Sequence, residues 1–307
     1  MVKTAVLFPG QGAQFVGMGK EVNDTFSAAR EIFKKANDVI GYDLATLCFD
    51  GPEEQLTQTK YSQPAIFTTS VAVLESLKTA GLFLEGAPSL GLSLGEYAAL
   101  VAAGAMSFED GLILVKTRAE AMDAAAAEAG GTMASILGST YETCKEVCAA
   151  IGNVWVANLN SPDQIVISGK VAAVQAAMQQ LQDKGAKRAI QLKVSGAFHS
   201  PLMAPARERL ADAVERVTMH PPQGMFIPNF TARPEKDPAK IKAFLLEQLT
   251  GTVQWSDSFA YVCKQGVTSF FEVGPGSVLK GLARKINKEA NVISVHGKSD
   301  IEALKKA

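Results

Sequence analysis

Histidine, cysteine, tryptophan and net charge are all scarce in this chain. Of its 307 residues, three are histidine, four cysteine and two tryptophan, and 30 basic residues stand against 31 acidic ones. A formal net charge of -1 argues against a nucleic-acid binder or a membrane-surface protein, since both need a basic face. No stretch approaches the ~18 successive apolar residues of a membrane span, and the apolar run in "MVKTAVLFPGQG" is too short for the core of a secretory signal. A cytoplasmic protein is therefore expected. Cys48, Cys144, Cys148 and Cys263 are scattered except for the i, i+4 pair Cys144 and Cys148. With no histidine or further cysteine close in sequence, that pair reads as helix-packed free thiols in a reducing compartment, not as half of a metal site. There is no internal repeat and no low-complexity segment beyond Ala124–Ala127.

What is present suits a well-cored globular protein: 47% of residues are hydrophobic, and the length fits one large domain or a large domain with an insertion. Thr4–Phe8 reads as a buried strand closed by the glycine-rich loop "PGQGAQ". Helical periodicity follows over Thr25–Ile40 and Pro64–Ala80, then a strand over Pro88–Leu92 and a helix in "LGEYAALVAAG". Ser107, with Asp110 three residues on, predicts an N-cap for a helix running to about Glu128. Strand, turn and helix in alternation indicate a parallel α/β core. From Gly131 the pattern becomes βαββαβ, the split βαβ order of ferredoxin-like domains. The expected fold is thus an α/β hydrolase-like core with a parallel sheet (1–129 and 198–307), carrying an inserted ferredoxin-like subdomain (130–197). After the insert, a helix around Pro205–Val217 and strands near Phe226–Pro228, Thr268–Val273 and Val292–Val295 complete the core.

Three features carry chemistry. The first is "GLSLGEY" (Gly91–Tyr97), a GxSxG pattern between a strand and a helix. Glycines there let the chain turn sharply and lift Ser93 clear of the backbone, so Ser93 is either a nucleophile or a small residue at a tight turn. The second is the base such a hydroxyl needs. His220 precedes two prolines in a loop, His296 follows the last strand, and His199 lies in "VSGAFHSPLM" where the chain re-enters the core. An α/β-hydrolase order would choose His296, whereas a serine–histidine dyad at the subdomain junction would choose His199. The third is Arg118, one cation in the apolar stripe Leu114, Ala121, Met122 and Ala125. An inward guanidinium needs an anion, either an internal Asp or Glu or a substrate carboxylate gripped through two parallel hydrogen bonds.

Seven blocks in chain order resemble malonyl-CoA:acyl-carrier-protein transacylases, which are related to the acyltransferase domains of polyketide synthases. They are "FPGQGAQFVGMG", "GLSLGEYAAL", "TRAEAM", "ANLNSPDQIVISG", "GAFHSPLM", "VQWSDS" and "FFEVGPG", and they span essentially the whole sequence. The resemblance implies Ser93 as the acylated nucleophile and His199 as its base, with a backbone carbonyl near Gln254 orienting the imidazole. It implies Arg118 for the malonyl carboxylate, the backbone N–H groups of Gln11 and Leu94 as an oxyanion hole, and Met122, Phe198 and Asn160 as further substrate contacts. "AFH" at Ala197–His199 resembles the malonyl type and not the methylmalonyl type. The family has histidine immediately before the nucleophile where this chain has Leu92, so altered rate or acyl tolerance is expected, not a different reaction.

The implied partners are malonyl-CoA and a phosphopantetheinylated acyl carrier protein, received by a monomer with no metal or redox cofactor and with no nucleic acid or membrane involved. Because carrier proteins are acidic, the basic run "KGLARKINK" (Lys280–Lys288) is a candidate docking patch, or simply a solvated helix face. Two other functions remain in view: a serine hydrolase or thioesterase on the same turn, which would use His296 and not Arg118, and a non-catalytic carrier-protein binding module.

Overall fold

β1 (Thr4–Phe8) sends alternate side chains into different cores, with Ala5 and Leu7 on one side and Val6 and Phe8 on the other. That is the signature of a strand covered on both faces, and it holds for the sheet built around it. The computed structural model describes residues 4–83 and 85–306. Its strands continue as β2 (Ser89–Gly91), β3 (Thr132–Leu137), β4 (Val154–Ser161), β5 (Gln164–Gly169), β6 (Arg188–Gln191), β7 (Ser269–Val273) and β8 (Asn291–Val295). One sheet has the order β2-β1-β7-β8 and is parallel throughout, with Phe8 level with Gly91 and Leu7 level with Glu272. The other has the order β4-β5-β3-β6 and is antiparallel throughout. All four of its strands come from the βαββαβ segment, and the order is that of a split βαβ unit. A third core lies beneath it, where Ile136, Ile165 and Ile167 meet Cys144, Cys148 and Leu181. All four cysteines are free thiols, and Cys144 and Cys148 are buried.

Several helices position the site. The Phe108–Ala129 helix starts as its capping pattern predicts, with the Ser107 hydroxyl oxygen accepting the Asp110 N–H at 3.0 Å. The helix expected from Pro64 starts earlier and spans Thr59–Thr79. Pro64 removes one N–H from its interior, yet the helix persists because Gln63 to Leu74 are buried without a break, so packing outweighs the local preference. The helix expected over Thr25–Ile40 is two, Lys20–Thr25 and Ser27–Ile40, separated by an extended Phe26. Near Phe226–Pro228 the expected strand is a single bridge from Phe226 to Ser89, and Pro228 has no N–H with which to extend it. The Pro238–Thr250 helix follows. β4 is tied to the chain leading out of that helix, since the Val253 carbonyl accepts the Leu159 N–H at 2.9 Å. Among the described residues no helix is long and apolar enough to cross a membrane.

Candidate active site

Ser93 stands between the end of β2 and the start of the Gly95–Ala102 helix, with φ at 51°. This left-handed conformation is uncommon for a residue with a Cβ and marks a turn held by its surroundings. A Cβ on Gly95 would lie 2.1 Å from the Phe8 carbonyl oxygen, so the helix can begin this close to β1 only with glycine there. Across the cleft, a Cβ on Gly10 would lie 2.6 Å from the Leu92 carbonyl oxygen, which explains why the facing loop is glycine-rich. Asn229 clamps both sides of the turn. Its Oδ1 accepts the Ser93 N–H at 2.6 Å, and its Nδ2 donates to the Gly91 carbonyl at 2.7 Å.

His199 also has positive φ, at 55°, and its Nε2 lies 2.8 Å from Ser93 Oγ. Its Nδ1 lies 2.8 Å from the backbone carbonyl oxygen of Gln248. A proton on Nδ1 leaves Nε2 free to accept from the serine. The expectation of a carbonyl near Gln254 is thereby corrected. Gln254 opens the Trp255–Lys264 helix, and its carbonyl is engaged by both the N–H and the hydroxyl of Ser258. Gln248 lies in the last turn of the Pro238–Thr250 helix, where carbonyls lack a partner in the helix and carry the negative end of its dipole. Such a carbonyl both orients the ring and favours its protonated form during reaction. At rest the ring is neutral: burial, reinforced by the Arg118 charge and opposed by the Gln248 bond, pushes its pKa down to about 4.

Arg118 is 1% exposed, as its place in an apolar stripe predicts. It makes no ion pair among the described residues. Nη1 donates to Gln63 Oε1 at 2.6 Å, and Nη2 donates to Gln248 Oε1 at 3.0 Å and to Ser93 Oγ at 2.9 Å. Its Nε–H has no acceptor, and the group lies over the Tyr97 ring, 5.7 Å from the centroid. Burial lowers its pKa. A buried cation whose hydrogen-bond partners are all neutral is suited to an incoming anion.

These groups border a cavity of about 580 Å³ between the parallel sheet's helices and the antiparallel sheet. Gln11, Ser93, Leu94, Arg118 and His199 line one side, and Met122, Phe198 and Asn160 also reach it. The Asn160 Oδ1 is buried without a partner. Leu92, where the family motif has histidine, adds apolar lining to the cavity, as do Met133, Val166 and Leu192. Gln254 is not among the lining residues and borders a separate hollow with Phe230 and Asp257. His296 is on the surface beside Asp300, 3.6 Å away, and the His220 N–H donates to the Ala105 carbonyl. No group of three or more His, Cys, Asp or Glu able to hold a metal occurs among the described residues. Sequence reasoning missed Gln63, Asn229 and Gln248, and it quoted Glu96 without a role. Glu96 alone carried a signal, an acid in the otherwise apolar "LGEYAALVAA".

Residues 6–302 match the acyl transferase domain family. The chain is 44% identical over 306 residues to the malonyl CoA-acyl carrier protein transacylase of Bacillus subtilis, covering 98% of this chain and 96% of that one. It is 38% identical to the transacylase of the same description from Haemophilus influenzae, covering 99% and 98%. The solved acyl-carrier-protein-S-malonyltransferase of Bartonella henselae superposes with a TM-score of 0.94 at 40% identity, covering 99% and 98%. A malonyl-transacylase solved in complex with its type II PKS acyl-carrier protein gives 0.95 at 35% identity, covering 99% and 100%. The chain belongs to the acyl transferase domain family and, within it, to the malonyl CoA-acyl carrier protein transacylases.

Proposed function

We propose that the chain moves a malonyl group from malonyl-CoA to the phosphopantetheine thiol of an acyl carrier protein through an ester on Ser93. One observation carries this reading: a single hydroxyl lies within hydrogen-bond distance of both a neutral buried imidazole and a buried guanidinium that has no carboxylate partner. His199 takes the Ser93 proton as Oγ attacks the thioester carbonyl. The N–H groups of Gln11 and Leu94, both beside the cavity, stabilise the tetrahedral oxyanion, each worth roughly 10²–10³ in rate. His199 returns the proton to the departing coenzyme A sulfur. The carrier thiol then enters, gives its proton to His199 and attacks the ester, and Ser93 recovers its hydrogen as the malonyl thioester leaves. Arg118 holds the free carboxylate through both halves, while Met122, Phe198 and Leu92 border the acyl chain and Asn160 offers a polar contact. The apolar wall limits water, which would otherwise make the enzyme a thioesterase.

Residues 130–197 serve as an inserted subdomain between 1–129 and 198–307, because every strand of the antiparallel sheet comes from that segment. One chain supplies Ser93, His199 and Arg118, so the monomer is the acting unit. Incubation with malonyl-CoA should raise the intact mass by one malonyl group, and Ser93→Ala should abolish the gain. Absence of any adduct would favour a non-catalytic carrier-binding module, and rapid release of free malonate would favour a hydrolase.

A further inference from the structure

Arg118 is buried with neutral partners, and the acid closest to it in the hydrogen-bond network lies one side chain beyond. Glu96 is fully buried, and its Oε2 accepts Gln248 Nε2–H at 2.7 Å and the Asn229 backbone N–H at 2.9 Å. The other Nε2 proton of Gln248 goes to the Ser93 carbonyl at 3.1 Å, and its Oε1 receives Arg118 Nη2–H at 3.0 Å. Both N–H donors and the oxygen of that carboxamide are therefore engaged. Its direction matters, because a flipped amide would set N–H against guanidinium and oxygen against carboxylate. Glu96 Oε2 can accept from both the Gln248 and Asn229 N–H groups whether the carboxyl is ionised or carries its proton on Oε1, so Glu96 helps turn the amide nitrogen its way and the amide oxygen towards Arg118. We infer that Glu96 is a positioning residue: by accepting from the Gln248 amide N–H it turns the amide oxygen towards Arg118, and so aims the guanidinium at the acyl carboxylate without pairing with it directly.

The inference rests on the reading that Arg118 holds the malonyl carboxylate. A direct ion pair would satisfy Arg118 and close it to substrate. A relay through one amide leaves Arg118 with neutral partners alone among the described residues, as observed. The alternative is that Glu96 merely buttresses the serine turn through Asn229. The two roles separate by substrate, since damage to the turn slows every acyl donor alike, whereas misdirection of Arg118 harms only donors bearing a carboxylate.

The experiment compares Ser93 acylation by malonyl-CoA and acetyl-CoA, followed by rapid quench and intact mass over a range of donor concentrations. The readout is the malonyl-to-acetyl ratio of second-order rate constants. Glu96→Ala should lower that ratio about tenfold, mainly through a higher half-saturating malonyl-CoA concentration, as expected for loss of a charge-assisted hydrogen bond. Glu96→Gln, which keeps an acceptor for both N–H donors, should hold it within about threefold. Gln248→Met keeps the backbone carbonyl and removes the carboxamide, so it should reproduce the loss even if Glu96→Ala fails to fold. Adding a Glu96 substitution to Gln248→Met should then change the ratio little, because the link is already cut. An equal fall with both donors, or full additivity of the two substitutions, overturns the inference. An Arg118→Ala enzyme that still prefers malonyl-CoA overturns the reading beneath it instead.

Discussion

The Ser93 hydroxyl donates to an imidazole and accepts from a guanidinium, and each neighbour sets a measurable property. Arg118→Ala should cut malonyl acylation by roughly 10²–10³, the usual cost of removing one partner from a buried charged pair, while acetyl acylation falls far less; unchanged malonyl kinetics would contradict the role. His199, with its pKa near 4, stays neutral well below the ordinary 6.5. In the kcat/KM for acylation, which reports the free enzyme, the acid limb should therefore lie near pH 4. Once a malonyl carboxylate sits on Arg118, part of the charge depressing the imidazole is balanced, so the limb for transfer to the carrier thiol should lie higher. Coincident limbs, or an acylation limb near 6.5, would refute this. Stability follows the same groups. Between 6.5 and about 4 the unfolded chain holds the His199 proton and the fold does not, so stability from this group falls as pH falls. Glu96, raised by burial from 4.5 to about 7, keeps a proton in the fold across that window, so its contribution falls as pH rises. The two nearly cancel between 4.5 and 6.5, and Glu96→Gln should uncover a thermal midpoint that drops on acidification. Ser93 and Arg118 stood out because each is anomalous where it stands, a serine between glycines and a cation in an apolar stripe, whereas His199 stayed level with His296 until the family resemblance chose it. Gln248 was not, because any residue could supply a backbone carbonyl at a helix end.

At the scale of elements, the site is an assembly of chain ends. β2 and the Gly95–Ala102 helix present Ser93, the last turn of Pro238–Thr250 presents the Gln248 carbonyl, and Arg118 with its partner Gln63 comes from helix interiors. Gly95 is where its helix presses against β1, a Cβ there lying 2.1 Å from the Phe8 carbonyl oxygen. Gly95→Ala should cost about 3 kcal/mol or more, the scale of overpacking plus backbone displacement, and should lower the thermal midpoint and acylation together. A stable but inactive variant would show that the turn yields locally, and a fully active one would show that the close approach is dispensable. Strands and capped helices were readable because their signals are local: the short β-rich run of β1 closed by a glycine loop, the Ser107 cap, the βαββαβ order of the insert. The Pro238–Thr250 helix was not identified, and the start at Thr59 was missed because proline is a local breaker that burial overrode.

For the whole molecule, the cavity lies where the two sheets' territories meet, and access to it decides how a carrier protein can dock. Under the proposed function a carrier protein delivers its thiol on a phosphopantetheine arm, which sets its acidic body outside the mouth. Lys193 lines that cavity and is exposed, whereas in the basic run Lys280–Lys288 the Lys285 ammonium is already 3.4 Å from Asp163. A paired lysine attracts a distant acid less than a free one, which ranks the rim above the run as the receiving surface. Lys193→Glu should raise the carrier KM roughly threefold to tenfold at low salt, the scale of one exposed charge contact at an interface, and should flatten its dependence on added salt. Charge reversal at Lys285 and Lys288 together should move the carrier KM less. Because coenzyme A is itself anionic, Lys193→Glu should also raise the malonyl-CoA KM, while the reversal at Lys285 and Lys288 leaves it alone. Steady-state kinetics of both half-reactions at two ionic strengths test the ranking, and a larger carrier effect from the Lys280–Lys288 helix would transfer the docking surface there.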